Sequence, residues 1–361
     1  MARPQRSVSA ALVTVIALVG LLAAGRWLQP QLHREPAVAP STHPMPTSPV
    51  PTSPSMVTAT RPPDSPGITK TTDTAPVDAI AVTPRSVWIA AGGLVMRVDP
   101  ATRRKVVVPG IETVEPPVVQ VTVGAGAVWA ATTGRKLLRI HPRTARVAAS
   151  LSIPTLAVAA DASGVWAVCC AGGRGGQLTR FDPSSGRVVK AIRLPGHPQA
   201  VGIGPSGVWV RGTEGLVWRV DPTSNRVVAT IQLPPSNGQS YRVDTGDPGG
   251  DIVVTNDGVW VSDPATATVR RIDPRRNQVT DDMAEADGND LTVAANGVVW
   301  ATSDTRLLGL GVGSQVLGPR RDLHELGTDR ITATAAAHDG GLWLGTPHGL
   351  FHINRNLLRA G

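Results

Sequence analysis

Beyond residue 67 the chain never settles into a helical period. Apolar and polar residues alternate over short stretches, as in AIAVT, SVWIAA, LVMRVD and KVVVP, and small-residue or proline turns separate them. Period-two alternation between turn signals predicts short β-strands, four in each stretch of about 40 residues.

The stretch repeats. Tryptophan recurs at Trp88, Trp129, Trp166, Trp209, Trp260, Trp300 and Trp343, at spacings of 41, 37, 43, 51, 40 and 43. Each sits in one phrase: SVWIA, AVWAA, GVWAV, GVWVR, GVWVS, VVWAT and GLWLG. Further along, five copies carry a second phrase: RVDPAT at Arg97, RIHPRT at Arg139, RFDPSS at Arg180, RVDPTS at Arg219 and RIDPRR at Arg271. Copies six and seven have LGLGVG and HINRN instead. In the second phrase Pro presets φ for a type I turn, and the Asp carboxylate can accept backbone N–H bonds one or two residues on, which makes these sites structural. The repeat predicts an all-β fold, a seven-bladed β-propeller of four-stranded blades. The seven tryptophans are expected to fill the space between blades as core. Ile68-Thr69-Lys70-Thr71-Thr72 matches the outer strands AIRLP and TIQLP and is expected to complete the seventh blade, with Leu357-Leu358 the competing outer strand.

A different pattern precedes the repeats. Arg3 and Arg6 lead into an uncharged apolar run from Ser7 to Gly25, which at 1.5 Å per residue nearly spans the ~30 Å hydrocarbon layer. It reads as an export segment, either an uncleaved transmembrane signal anchor or a signal cleaved at Ala23-Ala24-Gly25. The Pro/Ser/Thr-rich stretch that follows cannot bury a core and is expected to be a disordered, extended stalk. The expected organisation is therefore residues 1–27 as membrane anchor or signal, 28–67 as stalk and 68–361 as propeller. The propeller is placed on the extracytoplasmic side of a cell membrane, or secreted if the signal is removed.

Composition adds limits. Gly 38 and Pro 32 in 361 residues suit a turn-rich chain, and nine tryptophans outweigh Tyr 1 and Phe 2. The net charge of +8 comes almost wholly from arginine, with only four lysines among 35 basic residues. The arginines follow the repeat, with no dense cluster and no stacking aromatics beside them, which argues against a nucleic-acid partner.

In a propeller the inner strands line a channel, and the loops entering them surround one mouth, the default binding surface. Counting ten residues back from each tryptophan, nine in one case, places Asp78, Val119, Leu156, Gln199, Asp251, Asp290 and Ala333 at the starts of the inner strands. The loops into blades five, six and seven are acidic: SYRVDTGDPGGD with Asp244, Asp247 and Asp251, DDMAEADGND with Asp281, Asp282, Glu285, Asp287 and Asp290, and DLHELGTD with Glu325 and Asp329. The first of these makes the long 51-residue spacing, and insertions in repeat arrays mark binding faces. The Asp-Pro turns on the opposite face carry Arg103, Arg104, Lys105, Arg143, Arg146, Arg187, Arg226, Arg275 and Arg276. The expected disc is acidic along one arc of its mouth, with Asp78, Gln199 and the loop carboxylates as candidate binding residues, and basic on its other face. Three readings of the acidic arc stand side by side: solvated loops, a basic or cationic partner, and a bound Ca²⁺, although Asp244, Asp247 and Asp251 do not match an EF-hand loop. No other cofactor, metal ligand or catalytic residue is expected.

Cys169-Cys170 is a singular pair. In an exported chain cysteines tend to be oxidised, but neighbours on a regular strand point to opposite faces. A vicinal disulfide, two separate thiols and an intermolecular bridge all stay open.

GVWVRGTEGLVWRVDPTSNRVVATIQLP, from Gly207 to Pro234, resembles the blades of YVTN/NHL-like propellers, including the virginiamycin B lyase-like, or streptogramin lyase-like, group. The resemblance covers about residues 68–361 and implies the fold while leaving function open. A lyase of that group would imply a metal held by His and Glu at the channel mouth. His33 and His43 lie in the stalk and His141 in a turn, and no other histidine pairs evidently with a Glu at blade spacing, so no residue role is carried over. The expected function is a ligand-binding or sensor module for an envelope protein, peptide or cell-wall component. A metal-dependent lyase or hydrolase and a structural scaffold of an envelope complex are the alternatives.

Overall fold

Each repeat folds as an antiparallel sheet whose strands follow chain order outward from the channel. A computed structural model describes residues 67–111, 117–133, 136–170, 175–213, 215–234, 250–263, 267–284, 290–311, 321–328 and 330–359, without the side chains of residues 170, 283, 284, 303, 325 and 359. The anchor and most of the stalk lie outside the described residues.

After β1 (Ile68–Thr72), blade one is β2 (Val77–Thr83), β3 (Ser86–Ala91), β4 (Leu94–Val98) and β5 (Lys105–Val107). Blade two is β6 (Val118–Gly124), β7 (Ala127–Thr132), β8 (Lys136–His141) and β9 (Arg146–Ser152). Blade three is β10 (Ala157–Asp161), β11 (Gly164–Cys170), β12 (Gly176–Phe181) and β13 (Val188–Leu194). Blade four is β14 (Pro198–Gly204), β15 (Gly207–Gly212), β16 (Leu216–Asp221) and β17 (Arg226–Gln232). Blade five is β18 (Ile252–Val254), β19 (Val259–Asp263), β20 (Thr268–Asp273) and β21 (Gln278–Ala284). Blade six is β22 (Asp290–Val293), β23 (Val299–Ser303), β24 (Arg306–Leu310) and β25 (Arg321–Asp322). Blade seven is β26 (Ala333–Ala336), β27 (Leu342–Thr346) and β28 (Gly349–Ile353), completed by β1.

That closure joins the two ends of the repeat array. Ile68 lies opposite Ile353 and Thr69 opposite His352. The competing pair Leu357-Leu358 belongs to the short helix α1 (Arg355–Arg359), and Leu358 joins Ile68 and Trp300 in one buried apolar cluster.

The repeated tryptophans occupy the second strand of every blade, and none is more than 5% exposed. Each reaches toward the following blade: Trp88 clusters with Val121 and Leu138 of blade two, and Trp129 with Val158 and Phe181 of blade three. A side chain of that size buries about 150–250 Å², the main adhesive between sheets. Near the axis the inner strands come so close that a Cβ on Gly124 would stand 2.1 Å from the carbonyl oxygen of Ala160.

In the Asp-Pro turns the carboxylates accept amides two and three residues on, one residue further than the sequence reading placed them: Ala101 N and Thr102 N donate to Asp99 at 2.9 and 3.0 Å. His141 does the same work with Nδ1 for Arg143 and Thr144. These bonds hold the carboxyls of Asp99, Asp182, Asp221 and Asp273 below the ordinary range, with the Ser184 hydroxyl the leading cause at Asp182 and that of Ser224 at Asp221. The fifth turn residue is left-handed, at φ +59° for Arg103, +53° for Asn225 and +52° for Asn277.

The arginine that opens the turn phrase lies opposite the tryptophan and does more than charge the surface. Arg97 donates to Arg143 O at 2.7 Å, Arg139 to Ser184 O at 3.4 Å, and Arg180 to Pro222 O at 2.6 Å and Asn225 Oδ1 at 3.0 Å. Arg219 donates to Pro274 O at 2.5 Å and Asn277 Oδ1 at 3.1 Å. These acceptors are in the next blade's turn, while Arg180 and Arg219 also donate to Ser163 O and Ser206 O at 2.9 and 3.0 Å in their own blades. The guanidinium groups of Arg180 and Arg219 also sit 5.2 and 5.4 Å over Trp166 and Trp209, within cation–π range. Each tryptophan and arginine pair therefore latches one blade to the next.

Candidate functional site: carboxylates at the channel mouth

The Cα register defines equivalent positions round the mouth. Two residues before the tryptophan's partner on each inner strand stand Ala79, Gln120, Ala157, Ala200, Asp251, Asp290 and Ala333. Asp78 and Gln199 are not among them. Both fall in register shifts, between Val77 and Ala79 and between Pro198 and Ala200, and a count of ten from the tryptophan runs one residue past the aligned position in blades one to four, so Val119 and Leu156 miss it as well. A bulge turns a side chain away from the regular alternation.

The three polar residues at this level share one role. Gln120 Oε1 accepts from Val158 N at 2.7 Å, Asp251 Oδ2 from Leu291 N at 3.1 Å, and Asp290 Oδ2 from Thr334 N at 2.6 Å and from the Thr334 hydroxyl. Each acceptor reaches round the ring to the inner strand of the next blade. Asp251 Oδ1 is also taken, by Ile252 N at 2.7 Å. Asp290 Oδ1 has no hydrogen-bond partner among the described residues.

Burial penalises charge here. It raises the Asp251 carboxyl to about 6, against the opposing pull of the Leu291 and Ile252 amides and Arg211. Burial, with the charge of Asp251 added, raises Asp290 to about 8 against the Thr334 bonds. Asp78, exposed on its bulge, is raised by partial desolvation and pulled back by Arg330. Asp290 thus holds its proton into the neutral range, and Asp251 holds its own only at mildly acidic pH.

Beside them lies a buried ion cluster. Arg211 on β15 and Arg270 on β20 flank Asp263 on β19 at 3.7 and 2.9 Å, with all three side chains at 0% exposure. Arg270 Nε also meets Asp282 at 3.4 Å. Arg211 crosses from blade four to donate to Ser262 O of blade five at 3.0 Å. Gly250 is required beside it, since a Cβ there would stand 1.9 Å from Ser262 O and 2.9 Å from Arg211 Nε.

Asp281 and Asp282, expected in the loop into blade six, belong to the outer strand β21, where they pair with Arg271 and Arg270. They support blade five from outside and do not rim the channel. Asp244, Asp247, Glu285, Asp287, Asp329 and the Glu325 side chain lie outside the described residues. Cys169 is buried on β11, and the Cys170 side chain lies outside them too.

The ion cluster was missed in the sequence, although a signal existed. Arg211 takes a place two after the tryptophan that holds Ala90, Ala131 or Val168 in blades one to three, and Arg270 faces Val261 where Met96 faces Ile89 and Leu138 faces Ala130. Charge at positions that are otherwise apolar marks a buried pair.

A metal held by histidine and carboxylate, as the lyase resemblance implies, does not fit the donors found here. Among the described residues no three His, Cys, Asp or Glu side chains converge on a metal position. Both oxygens of Asp251 are taken by amides, and His324 and His352 are engaged with Asp322 and Asp339 away from the channel.

No family model matches the sequence, and no curated protein matches it. A solved structure described as a streptogramin B lyase matches with a TM-score of 0.65 at 12% identity, covering 80% of this chain and 97% of that one. At that identity the likeness speaks for architecture. This chain has the seven-bladed β-propeller fold of the streptogramin B lyase structure.

Proposed function

We propose that the protein is a ligand-binding or sensing propeller outside the cytoplasm, tethered by its N-terminal apolar segment, whose mouth takes a cationic group of an envelope protein, peptide or cell-wall component. One observation carries the reading: Asp290 keeps an unpartnered oxygen at the mouth while burial and Asp251 raise its proton affinity. A carboxyl held protonated in this way gains its charge when a cation arrives, so binding is coupled to proton release. The long acidic insertion that leads into Asp251 supports the same face.

The test is titration calorimetry of the full chain at pH 7 with a short oligolysine peptide, repeated in buffers of different ionisation enthalpy. Binding with release of a proton is expected, and Asp290→Asn, which keeps an oxygen for Thr334 N, loses the proton release and weakens binding about tenfold. Equal binding by the variant would sink the assignment. Calcium in place of the peptide tests the Ca²⁺ reading of the same arc.

A further inference from the structure

The latch is absent at the three junctions from blade five round to blade one, and at the last of them a cavity stands in its place. Opposite the tryptophan, blades one to five carry Arg97, Arg139, Arg180, Arg219 and Arg271, blade six carries Gly309, and blade seven carries His352. At blade six the missing arm is replaced by apolar filling, with Leu358 of α1 in the cluster around Trp300. At blade seven the His352 ring packs on Trp343 with centroids 4.6 Å apart, but imidazole is shorter than guanidinium, and its Nε2 is held by Asp339 at 3.1 Å.

The receiving side has changed as well. Blades four and five present Asn225 and Asn277 as acceptors at the left-handed turn position, and blade one has Arg103 there. The donor arm is shortened, and the acceptor has become a donor. Between them a cavity of about 440 Å³ is lined by Ser86, Pro100, Arg103, His338, Trp343 and His352. That size suits a small molecule. Asp339, also at its wall, is engaged by His352 and by the Gly341 amide at 2.9 Å. The other polar side chains at its wall are the Arg103 guanidinium, two imidazoles, Ser86 and three threonines, on a face that also exposes Arg104, Lys105 and Arg143.

We propose that this cavity between blades seven and one binds an oxyanion, the carboxylate or phosphate of a small molecule, with Arg103 as its principal partner. The guanidinium fork matches two oxygens of either group, and the positive face raises the local concentration of anions. The site lies on the face opposite the channel mouth and stands independently of the reading given to Asp290.

The chain supplies its own test. The double variant Arg103→Asn/His352→Arg restores the pairing seen between Arg219 and Asn277, and Arg103→Asn alone changes an exposed side chain at a φ that asparagine accepts. Inorganic phosphate and citrate are titrated against the full chain at matched ionic strength, by calorimetry and by the shift in melting temperature. The parent binds at least one probe saturably, and which one identifies the oxyanion class. Arg103→Asn binds about tenfold more weakly, and the double variant melts no lower than the parent and shows no saturable binding. Absence of saturable binding by the parent overturns the proposal. So does unchanged binding by Arg103→Asn, or an equal loss in Arg143→Asn, which would show attraction to the basic face in general.

Discussion

Two arcs of one ring are closed by different chemistry. From blade one to blade five, four junctions repeat a single device, a buried tryptophan under an arginine that reaches the next blade's turn. From blade five round to blade one, no junction repeats another. Arg271 keeps the own-blade bond that Arg180 and Arg219 also make, to Asp257 O at 2.5 Å, but its other arm meets Asp281 of its own outer strand at 3.3 Å; α1 fills the gap beyond blade six, and a cavity opens beyond blade seven. The inter-blade carboxylates at the mouth, Asp251 and Asp290, also belong to this second arc. A ring of seven equivalent latches needs nothing else, so the arc that abandons the latch is where the chain has room for chemistry.

Substitutions test that contrast in order of size. Asp263→Ala removes the buried carboxylate between Arg211 and Arg270 where the two arcs meet, and a loss of about 3–5 kcal/mol is expected from urea denaturation. A loss under about 1 kcal/mol would show that this cluster does not hold blades four and five together. In the latched arc, Arg180→Ala removes two charged hydrogen bonds to the next blade, one to Ser163 O of its own blade and a cation–π contact, an expected cost of about 2–3 kcal/mol. Arg271→Ala removes bonds within one blade and a longer cation–π contact, 5.9 Å over Trp260, and is expected to cost about 1 kcal/mol. Equal losses for the two arginines would erase the distinction between the arcs.

The third difference appears in pH dependence. Folding raises the proton affinity of Asp251 and Asp290, so their stabilising contribution is present at low pH. It is lost as pH rises from the ordinary carboxyl value near ~4 through about 6 and about 8. The turn carboxyls of the latched arc, Asp99, Asp182 and Asp221, act in the opposite sense. Their contribution is present above the ordinary value and lost as pH falls through their lowered ones. Melting temperatures from pH 4 to 8.5 should therefore decline for the parent and stay flatter for Asp290→Asn. An unchanged profile would remove Asp290 as the cause. The smallest effect is that of Arg103→Asn on stability, within about 0.5 kcal/mol of the parent.

The latched arc was the more legible one. Seven copies of the tryptophan phrase set the blade number, and the match of Ile68–Thr72 to other outer strands located the ring closure that the β1 to β28 pairing shows. What the repeat could not show is where a side chain goes across a junction. Arg180 looks like surface charge until Pro222 and Asn225 are seen 42 and 45 residues away in the next blade. Asp78 stands ten and Asp251 nine residues before its tryptophan, and that single residue separates an exposed carboxylate in a register shift from one that bonds to the next blade. Asp282 looked like part of a loop because β21 carries an acidic, weakly alternating end, and only Arg270 opposite it explains why strand continues there.

The claim at the centre of the account is that the mouth carboxyl of Asp290 holds its proton for a cation to displace. The most direct measurement is a carboxyl-carbon NMR titration of the full chain labelled at aspartate, with Asp290→Asn used to assign the resonance, alone and with the oligolysine peptide. The account predicts a midpoint well above the ordinary aspartate range that falls when the peptide is added. A midpoint near ~4, unmoved by peptide, would contradict it.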